Sequence, residues 1–237
     1  RAGEILPLFN VSFTDVQGTC LTVYGNAISD LNISDSMFWN CGGYSVLAWR
    51  YEGSLAITRT RFMLSARYAV FVDGDGEFHV DDNIFKENHG VFGCRRHVLS
   101  ATEKVRETDQ ATFHFNLMVR NTVDTESDAW STGNVIYVHG CTMRISDNWL
   151  VGANKREHKK VSMPNLINFY DSNIDMVRNE IVNNTRFLYI INVGGPRTQL
   201  IMERNILSNW KEGGNNFEIV NEASGVRINA FVNWWGC

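Results

Sequence analysis

The sequence predicts an all-β fold, a right-handed parallel β-helix of about nine coils, and three observations carry that expectation. A unit written apolar-x-x-Asn-x-apolar recurs along the chain, a second short β run lies between successive units, and 25 of the 237 residues are asparagine against only 3 prolines. Asparagine competes with a helical backbone for hydrogen bonds and settles readily into turns. Apolar residues at 44% leave enough material for a long core.

Taken in order, the first three units are Leu8-Val11-Phe13, Ile33-Ser36-Phe38 and Ile57-Thr60-Phe62, which carry the apolar pair without the asparagine. Val80-Asn83-Phe85, Phe113-Asn116-Met118, Ile145-Asn148-Leu150, Met176-Asn179-Ile181, Met202-Asn205-Leu207 and Val226-Asn229-Phe231 follow. Their anchors are spaced 25, 24, 23, 33, 32, 31, 26 and 24 residues apart. Between them lie β-branched and aromatic runs such as Val46–Trp49, Val70–Val72, Val135–Val138 and Leu166–Phe169, bounded by Gly, Asn and Asp. Units of about 24 residues with two or three short strands fit a coil that stacks on its neighbours. The repeated Leu and helical half of a leucine-rich repeat are missing, and a propeller blade needs about 40 residues.

Stacked coils lie about 4.8 Å apart, so equivalent residues form rows and nine coils span roughly 40 Å. Asn83, Asn116, Asn148, Asn179, Asn205 and Asn229 are therefore expected to form a structural ladder, each amide bonding to both neighbouring coils. The same residues would supply any left-handed backbone the turn needs. Phe13, Phe38, Phe62 and Phe85 are expected to fill the bore. The three long intervals place insertions at Thr102–Asp109, Asp124–Thr132 and Asn154–Ser162, expected to leave one corner together. The third contains the only dense basic run, Lys155–Lys160, which reads as a solvated loop.

A net charge of −4 argues against nucleic acid as a partner, because phosphate contacts need a basic face. No apolar run approaches the roughly 18 residues of a membrane span, so no direct membrane contact is expected from this segment. The chain starts at Arg1 and closes on Trp234-Trp235-Gly236-Cys237, and it reads as one domain, 1–237, from a larger extracellular region. Three N-glycosylation sequons, at Asn10, Asn32 and Asn183, point to secretion. Five cysteines form no CxxC pair, so no zinc ribbon or redox motif is expected. Cys20 and Cys41, one repeat apart, are the first disulfide candidates; Cys94 and Cys141 are the second, and Cys237 is left over.

Catalysis has two candidate locations. Asp73-Gly74-Asp75-Gly76-Glu77, followed by His79, Asp81 and Asp82, gathers carboxylates locally, but Asp and Gly also make a tight turn. Arg50, Asp73, His139, Asp171 and Asn221 each end a β run. In register they would form one polar row with an acid, a base and a cation. No GxSxG, phosphate loop or metal-ligand spacing occurs, and no cofactor is expected.

Over its whole length the repeat resembles the pectin-lyase-like parallel β-helix superfamily. Polygalacturonase-like members carry Asn-Thr-Asp, paired Asp, His-Gly and Arg-Ile-Lys blocks in order. Here Asp81-Asp82 and His139-Gly140 stand alone, so the resemblance implies the fold and not the activity. The Asn ladder, the sequons and Asn233-Trp234-Trp235-Gly236-Cys237 together resemble β-helix segments of the Anakonda (Bark beetle) family of animal cell-surface proteins. That resemblance implies a non-enzymatic adhesion scaffold at epithelial tricellular junctions, with protein partners or copies of itself. The alternative expectations are a polysaccharide lyase or hydrolase, or a glycan-binding module.

Overall fold

The computed structural model describes residues 5–25, 30–96, 111–123, 134–155, 165–209, 217–222, 224 and 226–236, with Lys155 and Phe217 described by their backbone only. Every named element is a strand, and the strands form a parallel β-helix. Each coil passes through three sheets in turn. In the third coil these strands are Ser54–Thr58, Arg61–Met63 and Val70–Asp73. The first and second sheets have nine strands and the third has eight, all paired in parallel with the strand one coil away. A further two-stranded pair, Thr122–Val123 with Asn154–Lys155, extends two adjacent coils beyond the second sheet.

The register follows the repeat through eight units. Leu8, Ile33, Ile57, Val80, Phe113, Ile145, Met176 and Met202 form one inward row. The ninth member is Ala230 and not Val226, because Met202 pairs with Ala230. In the second sheet Phe13, Phe38, Phe62 and Phe85 stack with centroids 4.9, 5.1 and 4.9 Å apart and planes within 14°. That spacing is the coil rise itself, so burial and ring stacking are satisfied by one geometry.

Left-handed corners close the coils, and the first of them recurs in all nine. At the first, Asn10, Asp35, Arg59, Asp82, Phe115, Asp147, Arg178, Arg204 and Val232 all adopt φ between 47° and 58°. The left-handed residue is thus the one before the ladder position, which corrects the expectation that the ladder asparagines themselves take this backbone. A left-handed non-glycine residue costs roughly 1–2 kcal/mol. The buried amides of the next residue hold the corner against that cost.

Each ladder amide bonds forwards and backwards. Asn116 accepts from the Asn83 N–H at 3.1 Å and donates from Nδ2 to Val80 O at 2.7 Å and to Asn148 Oδ1 at 3.1 Å. The pattern repeats through Asn148, Asn179 and Asn205, all nearly inaccessible to solvent. Asn205 then donates to Asn233 Oδ1, so Asn233 ends the ladder and Asn229, paired with Ile201 on the outer face, does not belong to it. On the other side the row continues as hydroxyls: Thr60 N–H donates to Asn83, Ser36 N–H to Thr60 Oγ1, and Val11 N–H to Ser36 Oγ.

A second ladder follows the next corner. Ser65 N–H donates to Asn88, Asn88 to Asn121, and Asn184 to Asn209, with Ala153 interrupting the side-chain series. Glu218 closes it by accepting from Asn209 Nδ2 at 3.0 Å.

Cys20–Cys41 ties the first coil to the second, with Cα atoms 5.7 Å apart, and Cys94–Cys141 ties two central coils at 6.8 Å. Both suit an oxidising compartment. Among the described residues no helix is long and apolar enough to cross a membrane.

The chain segment 97–110 joins the third sheet to the first, whereas 124–133 and 156–164 join the second to the third. The three insertions therefore do not leave one corner, because the first arises one sheet later in its coil. Thr102–Asp109, Asp124–Thr132 and most of Asn154–Ser162 lie outside the described residues, as do Cys237 and the basic run beyond Lys155.

Candidate functional site

The outer face of the third sheet gathers most of the chemistry expected from the sequence. Its pleat sends alternate residues outward. Tyr24, Trp49, Asp73, Arg95, His139, Tyr170 and Gly194 form one outward row. Arg50 and Asp171 sit one residue later, at the left-handed corner, with φ of 51° and 47°. Asn221 pairs with Val193, one residue earlier. The five stripe residues therefore occupy three rows and not one, since each β run ends at a slightly different point of its coil.

Asp73 is fully buried, and its carboxylate accepts from Arg95 Nη2 on the adjacent coil. Arg95 in turn lies over the Trp49 ring, 5.5 Å from its centroid. Three successive coils are thereby joined by an ion pair and a cation–π contact. Beyond Arg95, His139 Nδ1 lies 3.3 Å from the Tyr137 hydroxyl, and its ring meets Tyr170 edge-on at 5.1 Å. Burial pushes the Tyr137 phenol up, opposed by the Arg95 cation. Asn192 Nδ2 continues the polar surface by donating to Asn168 Oδ1 at 3.3 Å and to Glu222 Oε2 at 3.1 Å.

Farther toward the first coils this face is aromatic. Tyr44 and Tyr68 flank Phe71 at 5.6 and 5.7 Å, and Arg67 lies over Tyr44. Glycine at position 93 makes room for this cluster: a Cβ there would lie 2.4 Å from the Phe71 ring.

The local acidic candidate divides in the same way. Asp75 and Glu77 are exposed, Asp73 is sealed, and Asp82 occupies the left-handed corner. Asp81 joins a hydrogen-bonded chain on the first sheet that sequence reading did not assemble. His79 Nδ1 lies 2.9 Å from Thr112 Oγ1, which donates to Asp81 Oδ1 at 3.0 Å. Burial raises the Asp81 pKa, against the pull of Thr112, His79 and His114. On the following coils His114 Nδ1 lies 2.6 Å from Ser146 Oγ, and Arg178 clamps Asp147 through two bonds of 2.6 and 2.7 Å. The Arg178 hydrogen bonds hold the Asp147 carboxyl below its usual range. The signal for this cluster was the pairing of outward positions across coils, visible only once the register is fixed.

These contacts are cross-strand pairs that fasten coil to coil. Among the described residues no group of three His, Cys, Asp or Glu side chains is arranged to hold a metal ion. The three sequon asparagines, Asn10, Asn32 and Asn183, are all exposed, two at corners and one on the first sheet. Comparison with protein-family models, with curated proteins and with solved structures returned no match for the chain.

Proposed function

We propose that the chain is a non-enzymatic extracellular scaffold, a stiff rod whose surface meets partner ectodomains or copies of itself. The observation that supports this reading best is that the charges of the third-sheet face are spent on holding adjacent coils together, Asp73 with Arg95 above all. A solenoid gains length coil by coil without enlarging its core, which suits a spacer between surfaces. The two disulfides and three exposed sequons fit secretion. Work at epithelial tricellular junctions is the finer form of the proposal, drawn from the resemblance carried by the Asn ladder, the sequons and the closing Asn233-Trp234-Trp235-Gly236-Cys237.

The test combines sedimentation and bead clustering with incubation on polygalacturonate and alginate, following absorbance from unsaturated products. Clustering without product is expected. Product formation abolished by Asp73→Ala or His139→Ala would replace the scaffold with a lyase.

A further inference from the structure

On the outer face of the first sheet, where the last two coils meet, lies a cleft of about 250 Å³ bordered by Pro196, Arg197, Gln199, Ile201, Arg227 and Asn229. It is far in sequence from the Asp73–Arg95 pair and on a different sheet. The register builds it directly: Gln199 lies beside Arg227, and Ile201 beside Asn229, on adjacent parallel strands.

Arg197 is presented by a stiff turn. Gly195 is left-handed at φ 79°, Pro196 follows, and Thr198 N–H closes the turn on Gly195 O at 3.3 Å. Proline at the second position presets that turn. Asp171 Oδ1 accepts from the Arg197 backbone N–H at 3.3 Å, anchoring the turn to the coil below. Thr198 is buried and donates its hydroxyl to Gly194 O. The carboxylate that steadies this turn therefore engages the Arg197 backbone, and Arg197 borders the cleft.

Neither Arg197 nor Arg227 forms an ion pair among the described residues. Asp175, which continues the Ile201–Asn229 row, faces Arg144 at 3.9 Å. By contrast Arg59, Arg95, Arg120 and Arg178 are each matched to a carboxylate. Two arginines bordering one cleft give it cationic hydrogen-bond donors suited to a planar or tetrahedral oxyanion. Gln199 and Asn229 add amides that both donate and accept, as ring hydroxyls require. Pro196 and Ile201 supply apolar surface for a C–H face. The volume lies below the roughly 300–1,000 Å³ of pockets for drug-sized ligands, which limits the occupant to about one ring.

We propose that this cleft binds one acidic sugar unit, its carboxylate or sulfate held between Arg197 and Arg227. The ligand of this cleft is thereby an acidic glycan, beside the protein contacts proposed for the rod's surface.

The test is titration calorimetry on the whole chain with four probes: a glucuronate-containing disaccharide, its O-sulfated counterpart, the neutral disaccharide and inorganic sulfate. Binding of the acidic disaccharides is expected, weakening with salt, with no heat from the neutral one. Arg197→Gln and Arg227→Gln should each weaken it about tenfold, while Arg50→Gln leaves it unchanged. Circular dichroism of each variant separates lost binding from lost fold. The carboxylate and sulfate arms identify which oxyanion is preferred within the proposal. Inorganic sulfate binding as tightly as the disaccharides, or binding that survives both arginine changes, would overturn it.

Discussion

Asn148 Oδ1 receives two hydrogen bonds from Asn116, one from the backbone N–H at 2.9 Å and one from Nδ2 at 3.1 Å. Asn148 Nδ2 donates back to Phe113 O on that same coil at 2.8 Å and forward to Asn179 Oδ1 at 2.9 Å. Replacement by leucine strands two donors and a carbonyl inside the bore, each at about 1–3 kcal/mol. Asn148→Leu is therefore expected to destabilise the fold by about 3 to 9 kcal/mol in urea unfolding. Asn229→Ala, on the outer face, should stay within about 0.5 kcal/mol. Equal effects at the two positions would contradict the register.

The Asp73–Arg95 pair makes a different claim. Asp73→Ala leaves the mostly buried Arg95 cation without that partner, and such losses cost about 3–5 kcal/mol. Adding Arg95→Met should recover a substantial part of that loss, because the stranded charge is gone. A double-mutant cycle by chemical denaturation measures the coupling, and strictly additive effects would show the pair to be unimportant.

Alkaline stability should reflect Tyr51, which is buried and donates its hydroxyl to Ser54 O at 3.0 Å. Burial, with the nearby Asp30 charge, pushes this phenol up to about 12. The folded chain holds its proton while the unfolded chain releases it near pH 10, so stability falls as pH rises from 10 to 12. Tyr51→Phe should flatten that part of the profile. A slope unchanged by the substitution would assign the alkaline loss elsewhere.

Removing the disulfides should separate the end of the rod from its middle. The Cys20–Cys41 and Cys94–Cys141 loops span 21 and 47 residues, for which chain-entropy reasoning gives about 3 and 4 kcal/mol. Paired serine substitutions at Cys20 and Cys41 are expected to raise amide exchange mainly in the first two coils. Paired substitutions at Cys94 and Cys141 should lower the whole transition. Exchange spread evenly through the chain in the first variant would argue against local fraying.

Secretion from an animal cell line offers a direct check on the exposed sequons. Asn10, Asn32 and Asn183 are expected to carry glycan, read as a mass loss on enzymatic deglycosylation. Full-length secreted chain with no mass shift would remove this support for the extracellular reading.

Much of the solenoid was legible because rows demand repetition: the same apolar and amide chemistry must return once per coil. The last unit went astray for a physical reason. Val226-Asn229-Phe231 and Ala230-Asn233-Trp235 satisfy the same pattern four residues apart, and only the left-handed corner at Val232 decides between them. The second ladder was also written in the chain, as Asn five residues after Asn83, Asn116 and Asn179, but Ala153 breaks its series. The corner row escaped because Asp, Arg, Phe and Val share a backbone conformation there and no side-chain property. The Asp73–Arg95 pair escaped because a one-residue slip in register moves every outward side chain to a new row. The Arg197–Arg227 cleft joins residues thirty positions apart and has no local motif.

The buried amides share one orientation: from Asn83 to Asn205 each donates to the side-chain oxygen of the coil that follows, while its own oxygen faces the coil before and Nδ2 also donates back to a carbonyl there. Aligned amide dipoles add and polarise one another. The rod consequently has an electrical direction, with its donor pole at the last coil. Rods lying side by side would accordingly distinguish parallel from antiparallel alignment.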